Sequence, residues 1–354
     1  MKIQIQKTII ENALAKSIPF LDTKDSSKVV SNVHILSKDS LVVVSASDYE
    51  VGISITLNDV VIINDGSAIA NGKKLLDIIK ILKNGIIDIE LKSDVLHIQQ
   101  GRSKFKIPVL KDTFPSFPSY VGAIKINIPT DSLIDALRKV TPTIDVNNPK
   151  YEFNGVLIQI AKNNVNFIST DTKRLSFLTI ENHDDNEFSI IVSKRAVVEI
   201  QKLFFEDIEI YCTDTVLLIK SDRFSFFTKL INGKFPDVTR VIPTSSEHII
   251  EIDKVLMIDH IKQITTMTSE IKISLNDNTV FLESMTNDVN EAKVDFDMES
   301  NISGPVTFCI QSKHMLDFLG VILSNKFTLK INDGNLPIVL ESDDLKTIIM
   351  PIVS

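Results

Sequence analysis

The chain repeats itself three times, and this constrains its fold more than any single motif. Each repeat opens on a helix-like stretch with apolar residues at three-to-four spacing: KTIIENALAKSI (7–18), PTDSLIDALRKV (129–140) and DKVLMIDHIKQI (253–264). A second set follows at GKKLLDIIKILKN (72–84), SKRAVVEIQKLFF (193–205) and QSKHMLDFLGVIL (311–323), with Gly72, Ser193 and the Gln311–Ser312 pair as helix entrances. Strand-like runs with period-two alternation lie between and after them. A matched acid closes the second strand of each repeat: Asp48 in VVVSASD, Asp171 in VNFISTD and Asp288 in VFLESMTND, 123 and 117 residues apart. A period this long is a whole domain and not a solenoid unit. The expected fold is α+β, three repeated domains of two helices packed on antiparallel sheet, with boundaries at 1–122, 123–247 and 248–354.

Proline marks the joints. Leu110 is followed by Phe114-Pro115 and Leu230 by Phe235-Pro236. Proline lacks a backbone donor and holds the preceding residue extended, so neither stretch reads as central strand or helix. Three domains in a row have two dissimilar ends, and matching ends can close by head-to-tail contact. GRSKFKI carries Arg102, Lys104 and Lys106 on one strand face and Phe105 and Ile107 on the other. EAKVDFDME carries Glu291, Asp295, Asp297 and Glu299, broken by Lys293, against Ala292, Val294, Phe296 and Met298. A basic strand can meet an acidic one; periodicity alone equally allows two solvated strand faces.

The 354 residues carry a net charge of −8, which gives no global attraction to nucleic acid or acidic membrane. The helices depart from that balance. The stretches 72–84, 193–205 and 7–18 carry +3, +2 and +1, and the other three are neutral, so the helices hold +6 and the remainder −14. Helices lining one surface would attract phosphate there while the rest repels it.

Catalytic and metal signatures are weak. The run Gly66 to Lys74 has the wrong spacing for a phosphate loop, and His34, His97, His183, His248, His260 and His314 lack metal-ligand spacing. Asp171-Thr172-Lys173-Arg174 reads as a charged turn, since acid–base work needs a second carboxylate within reach. No catalytic residue, metal or cofactor is expected. Cys212 and Cys309 sit inside strand-like runs and read as reduced thiols of a cytoplasmic protein. No signal-peptide-like start and no apolar run of the roughly 18 residues a span requires is found.

YEFNG (151–155), STDTKRLSF (169–177), KLINGKFPDVTRVIP (229–243), GRSKF (101–105) and the terminal MPIVS together resemble the bacterial DNA polymerase III β subunit, the sliding clamp, over the full length. The resemblance implies a non-enzymatic processivity factor, a head-to-tail homodimer whose helices surround sequence-independent double-stranded DNA. It implies tethering of the replicative polymerase catalytic subunit, the clamp loader, and other polymerases and repair proteins that carry clamp-binding peptides. The matching peptide-pocket positions are Phe153, Thr170, Lys173, Arg174, Leu175, Pro236, Arg240, Val241, Ile348, Met350, Pro351 and Ile352. DNA-facing positions are Lys24, Lys73, Lys80, Tyr151, Lys194 and Lys202, with Glu152 placing acid beside Tyr151. The dimer contact is expected at Lys74, Arg102, Lys104, Phe105, Ile107, Met267, Glu291 and Asp295. Thr172-Lys173 stands where the family commonly has Gly-His, and Ile-Val-Ser ends the chain where Met-Arg-Leu is common, which leaves the peptide preference open. The alternative readings are a peptide-binding scaffold of the same fold that does not encircle DNA, and an enzyme using Asp171 and Arg174.

Overall fold

The structure is a computed structural model that describes residues 1–354 except 23, 25–27, 183, 184, 286–290, 299–301, 303 and 354. The acids Asp288 and Glu299 therefore lie outside the described residues. The first repeat runs β1 (Lys2–Gln6), α1 (Lys7–Ser17), β2 (Asn32–Lys38), β3 (Leu41–Ser47), β4 (Val51–Leu57), β5 (Val60–Asn64), β6 (Gly66–Asn71), α2 (Gly72–Ile81), β7 (Ile86–Lys92), β8 (Val95–Gln100) and β9 (Ser103–Pro108). The second runs β10 (Ile124–Ile126), α3 (Thr130–Val140), β11 (Gly155–Ile160), β12 (Asn164–Thr170), β13 (Arg174–Glu181), β14 (Phe188–Ser193), α4 (Lys194–Leu203), β15 (Glu209–Cys212), β16 (Val216–Lys220) and β17 (Phe224–Lys229). The third runs β18 (His248–Asp253), α5 (Lys254–Ile264), β19 (Glu270–Asn276), β20 (Thr279–Ser284), β21 (Lys293–Asp297), β22 (Val306–Gln311), α6 (Ser312–Val321), β23 (Lys326–Ile331), β24 (Ile338–Ser342) and β25 (Leu345–Ile349). All six expected helices form, and the fold is α+β with antiparallel sheets.

The compact units cut across the repeats. One unit comprises Met1–Asn127 with Glu206–Leu230, the other Ile128–Phe205 with Ile231–Ser354. Sheet pairing is the reason. In the first unit an eight-stranded sheet runs β10-β15-β16-β17-β4-β3-β2-β6, joined where β17 pairs with β4, beside a five-stranded sheet β5-β1-β7-β8-β9. In the second unit β14-β11-β12-β13-β25-β24-β23-β18 is joined where β13 pairs with β25, beside a four-stranded sheet β21-β20-β19-β22. Each eight-stranded sheet thus takes half of one repeat and half of the next.

The helices α2, α4 and α6 stop two to three residues before the periodicity predicts. Leu82, Phe204 and Ile322 leave in extended conformation and bury their side chains. Two of these ends are held by a lysine: Lys7 Nζ donates to Lys80 O and Leu82 O, and Lys254 Nζ donates to Ile322 O. A cation on helix-terminal carbonyls satisfies orphan acceptors and opposes the negative end of the helix dipole. At the helix starts Asn71, Ser193 and Asp253 accept from Lys74, Ala196 and Leu256 amides respectively. Gly72 follows the cap, where an added Cβ would meet Leu21 and Val33 side-chain atoms at 2.8 Å.

The matched acids cap turns. Asp48 Oδ1 accepts from the Glu50 and Val51 amides, and Asp171 Oδ1 from those of Lys173 and Arg174. The residue after each acid lies in the left-handed region, Tyr49 at φ 74° and Thr172 at φ 73°. Glycine adopts this conformation at no steric cost, so threonine at position 172 sits there under strain. A further ionic tie crosses the second unit. Lys139, 5% exposed, sits between Asp135 Oδ2 at 2.8 Å and Asp344 Oδ1 at 2.6 Å, and its neighbour Arg138 donates to Val321 O.

Candidate functional site

The second unit holds an apolar cluster built on the seam of β13 with β25. Leu175 pairs with Ile348 across it. Phe153, Ile168, Leu175, Ile191, Phe235, Val238, Val339 and Ile348 form one buried cluster, with Leu157, Phe177, Ile231 and Ile242 packed against it. Strand alternation supplies Ile168, Leu175, Val339 and Ile348 to this face. The extended chain after the Phe-Pro joint lays Phe235 over it, edge-on to Phe153 at 5.6 Å between ring centroids.

Arg174 alternates to the opposite face of β13 from Leu175. It is 5% exposed, its Nε 3.0 Å from Asp171 Oδ2 and its Nη2 2.7 Å from Asp317 Oδ2 on α6. The same guanidinium donates to Pro142 O at 2.9 Å and His314 O at 3.5 Å. It therefore supports the β12–β13 hairpin from beneath. Both Asp171 oxygens are engaged, Oδ1 by the Lys173 and Arg174 amides and Oδ2 by Arg174 Nε. Burial, with Arg174 beside it, pushes the His314 imidazole down to about 4, and its Nδ1 is buried with no hydrogen-bond partner among the described residues.

The remaining pocket positions separate into support and rim. Thr170 is buried, its hydroxyl donating to Arg174 O and accepting from the Thr172 amide. Lys173, Pro236 and Arg240 are exposed. Val241 and Met350 expose 45% and 43% of large apolar side chains beside a buried apolar floor, which is what a docking rim requires. Met350 N donates to Lys173 O at 2.9 Å, continuing the seam, and Ile352 N donates to Cys309 O at 2.7 Å. Pro351 and Ile352 are half-buried along that path. Sequence matching chose Pro236 for the wall and passed over Phe235 and Val238, which carry the packing.

Lys24, Lys73, Lys80, Tyr151 and Lys202 are exposed, and Lys202 is 2.8 Å from Glu199. Lys194 differs: it is half-buried and donates to Ile144 O at 2.7 Å. Burial, with Lys313 and Arg174 nearby, lowers its pKa. Among the positions expected at a dimer contact, Lys74, Arg102, Lys104, Met267, Glu291 and Asp295 are exposed and Phe105 is half-buried. Ile107 is 1% exposed and belongs to its own unit's core.

Family models for the N-terminal, central and C-terminal domains of the DNA polymerase III β subunit match residues 1–118, 127–237 and 239–353. The chain belongs to the β sliding clamp family. The β sliding clamp of Helicobacter pylori (strain J99) is 32% identical over 351 residues, covering 96% of this chain and 94% of the relative. The crystal structure of the Helicobacter pylori β clamp bound to a DNA ligase peptide superposes with a TM-score of 0.93 at 32% identity, covering 100% of both chains. The DNA polymerase sliding clamp of Bacillus subtilis, at 19% identity, shares the fold with a TM-score of 0.94 over 100% of this chain and 99% of that one. The three-domain α+β reading stands, and the chain is a replication clamp with a processivity role and not a catalytic one.

Proposed function

We propose that this clamp encircles duplex DNA as a head-to-tail homodimer of three domains, 1–122, 123–247 and 248–354, in the cytoplasm. It tethers the replicative polymerase, and other polymerases and repair proteins, through the apolar cluster of Phe153, Leu175, Phe235 and Ile348. A clamp loader would open and close it. The peptide-bound Helicobacter pylori relative supports this class of ligand. Met350 offers adaptable apolar surface for side-chain anchors beside a buried apolar cluster that includes Leu175.

The observation that carries ring closure is the repeated seam. In each internal seam, the last strand of one repeat pairs with the third strand after the first helix of another. Both seams use one register: the residue just after the hairpin turn, Phe224 or Leu345, faces Ile55 or Leu178. The strands left without such a partner are β9 and β21, each at a sheet edge. The same register between two copies sets Ser103 opposite Val294. Arg102 then faces Asp295, Lys106 faces Glu291, and Phe105 faces Ala292 on the inner side. Lys104 falls opposite Lys293, so the contact is not uniformly complementary.

Contact affinity for DNA is expected to be small, because the net charge is −8 and several helix cations are committed to structural bonds. Retention must then be topological. Loaded with ATP by a clamp loader onto nicked circular DNA, the protein should persist at salt that strips ordinary phosphate binders, and linearising the circle should release it. Equal retention on linear and circular DNA would favour a scaffold that does not encircle.

A further inference from the structure

The pocket floor in the second unit has a counterpart at the other Phe-Pro joint, with different chemistry. There Phe114 packs with Leu110 on Val29, Val30 and Ile69, as Phe235 packs on Phe153 and Ile191. Strand registers align the two sites. His34 faces Ser45 where Leu157 faces Ile168, and Ser47 faces Gly52 where Thr170 faces Leu175. The apolar triad Leu157, Ile168 and Leu175 is thus replaced by His34, Ser45 and Gly52. Phe227 fills the place of the missing leucine side chain: a Cβ on Gly52 would lie 2.2 Å from Phe227 Cε1, and Phe117 packs edge-on to the same ring at 5.1 Å.

What remains is an open cleft of about 470 Å³ lined by His34, Ser67, Ile69, Asp112, Thr113 and Phe114 among others. That volume falls within the range of small-ligand sites. The His34 ring stacks on Phe114 at 5.2 Å and 22°. Burial holds its pKa below the usual value, so the neutral imidazole offers one donor and one acceptor. Ser45 is already bonded to Ser54 at 3.1 Å, and the other polar side chains on the lining are His34 and Ser67 at the strands and Asp112, Thr113 and Ser116 at the Phe-Pro joint.

We propose that this cleft is a second anchor site for a short peptide segment, and that it takes a tyrosine side chain in place of the aliphatic anchors suited to the second unit. A flat apolar body can lie along Phe114 and Ile69 while its hydroxyl pairs with His34 or Ser67. An aliphatic anchor would strip water from those groups without replacing its hydrogen bonds, which is how a polar site rejects an apolar analogue. The class of occupant rests on the peptide-pocket reading above, because the same strands and the same Phe-Pro exit build both sites.

The test uses the full-length protein with isoleucine methyl labels, titrated with N-acetyl-tyrosinamide and with N-acetyl-leucinamide. Ile69 reports on this cleft and Ile348 on the apolar cluster of the second unit, so the two readings succeed or fail separately. Tyrosinamide should shift the Ile69 methyl and place density beside His34 in a soaked crystal; leucinamide should do neither. In the His34→Leu/Ser45→Ile variant the Ile69 response to tyrosinamide should weaken at least tenfold. An unmoved Ile69 methyl at saturating tyrosinamide, or an equal response to leucinamide, overturns the proposal. If the double variant fails to fold, Ser67→Ala with the same readout replaces it, and an unchanged response to both ligands there together with unselective binding in the wild type is the overturning result.

Discussion

Replacing Arg174 by alanine removes the cation that joins the β12–β13 hairpin to the turn after α3 and to α6. Arg174 is 5% exposed and serves two carboxylates, Asp171 and Asp317, and the carbonyls of Pro142 and His314. Breaking a buried pair costs about 3–5 kcal/mol when the remaining charge is stranded. Here the Asp171 and Asp317 side chains retain 23% and 26% of their exposure and can rehydrate, which argues for the lower end, about 3 kcal/mol. For a cooperative unit of roughly 200 residues, at about 2–4 °C per kcal/mol, Tm should fall by about 6–12 °C. Scanning calorimetry of the full chain measures it, and hydrogen exchange should place the loss in β12 and β13. Arg174→Lys keeps the charge but not the planar fork, so it should recover only part of the loss. A drop below about 2 °C for alanine would mean that the network behaves like a solvated surface pair, and the support role assigned to Arg174 would be wrong.

Three further outcomes follow from the same geometry. Thr172→Gly should raise stability by about 0.5–1 kcal/mol, since a β-branched residue at φ 73° carries strain that glycine relieves against its own unfolded-state entropy; a lower denaturation midpoint in urea would refute it. The His314 pKa in the folded state, about 4, lies below its usual 6.5, so the unfolded chain takes up the proton first as pH falls. Stability should therefore be level above about pH 6.5 and decline by about 1–3 kcal/mol towards pH 4, and His314→Gln should flatten that part of a pH-dependent melting series. Gly52→Val should destabilise the first unit by about 1–3 kcal/mol through overpacking against Phe227, whereas the pocket in the second unit already accommodates Leu175; an unchanged melt would show that Phe227 has room to move.

Much of the fold was legible because it is written in local periods. Apolar spacing located α1 to α6, and alternation located the strands, because each records which side chains need a core. The repeated acids were visible too, and their task is local: a carboxylate at Asp48 or Asp171 caps amides two and three residues on. Which core a face meets is a different question. Lys139 reads as one more cation on a helix stripe until Asp344, 205 residues away, arrives beside it. Arg174 reads as one member of a charged turn until α6 brings Asp317 beneath the sheet. Phe235 and Val238 were hidden in a proline-marked joint, where no period exists to assign a face. The contrast between Leu175 and Gly52 became meaningful only when the seams set Ile348 opposite one and Phe227 opposite the other. Period and turn chemistry act over a few residues and survive in a sequence read alone. Burial of charge, the walls of a pocket and the choice of seam depend on contacts between distant segments, and those exist only once the sheets have joined.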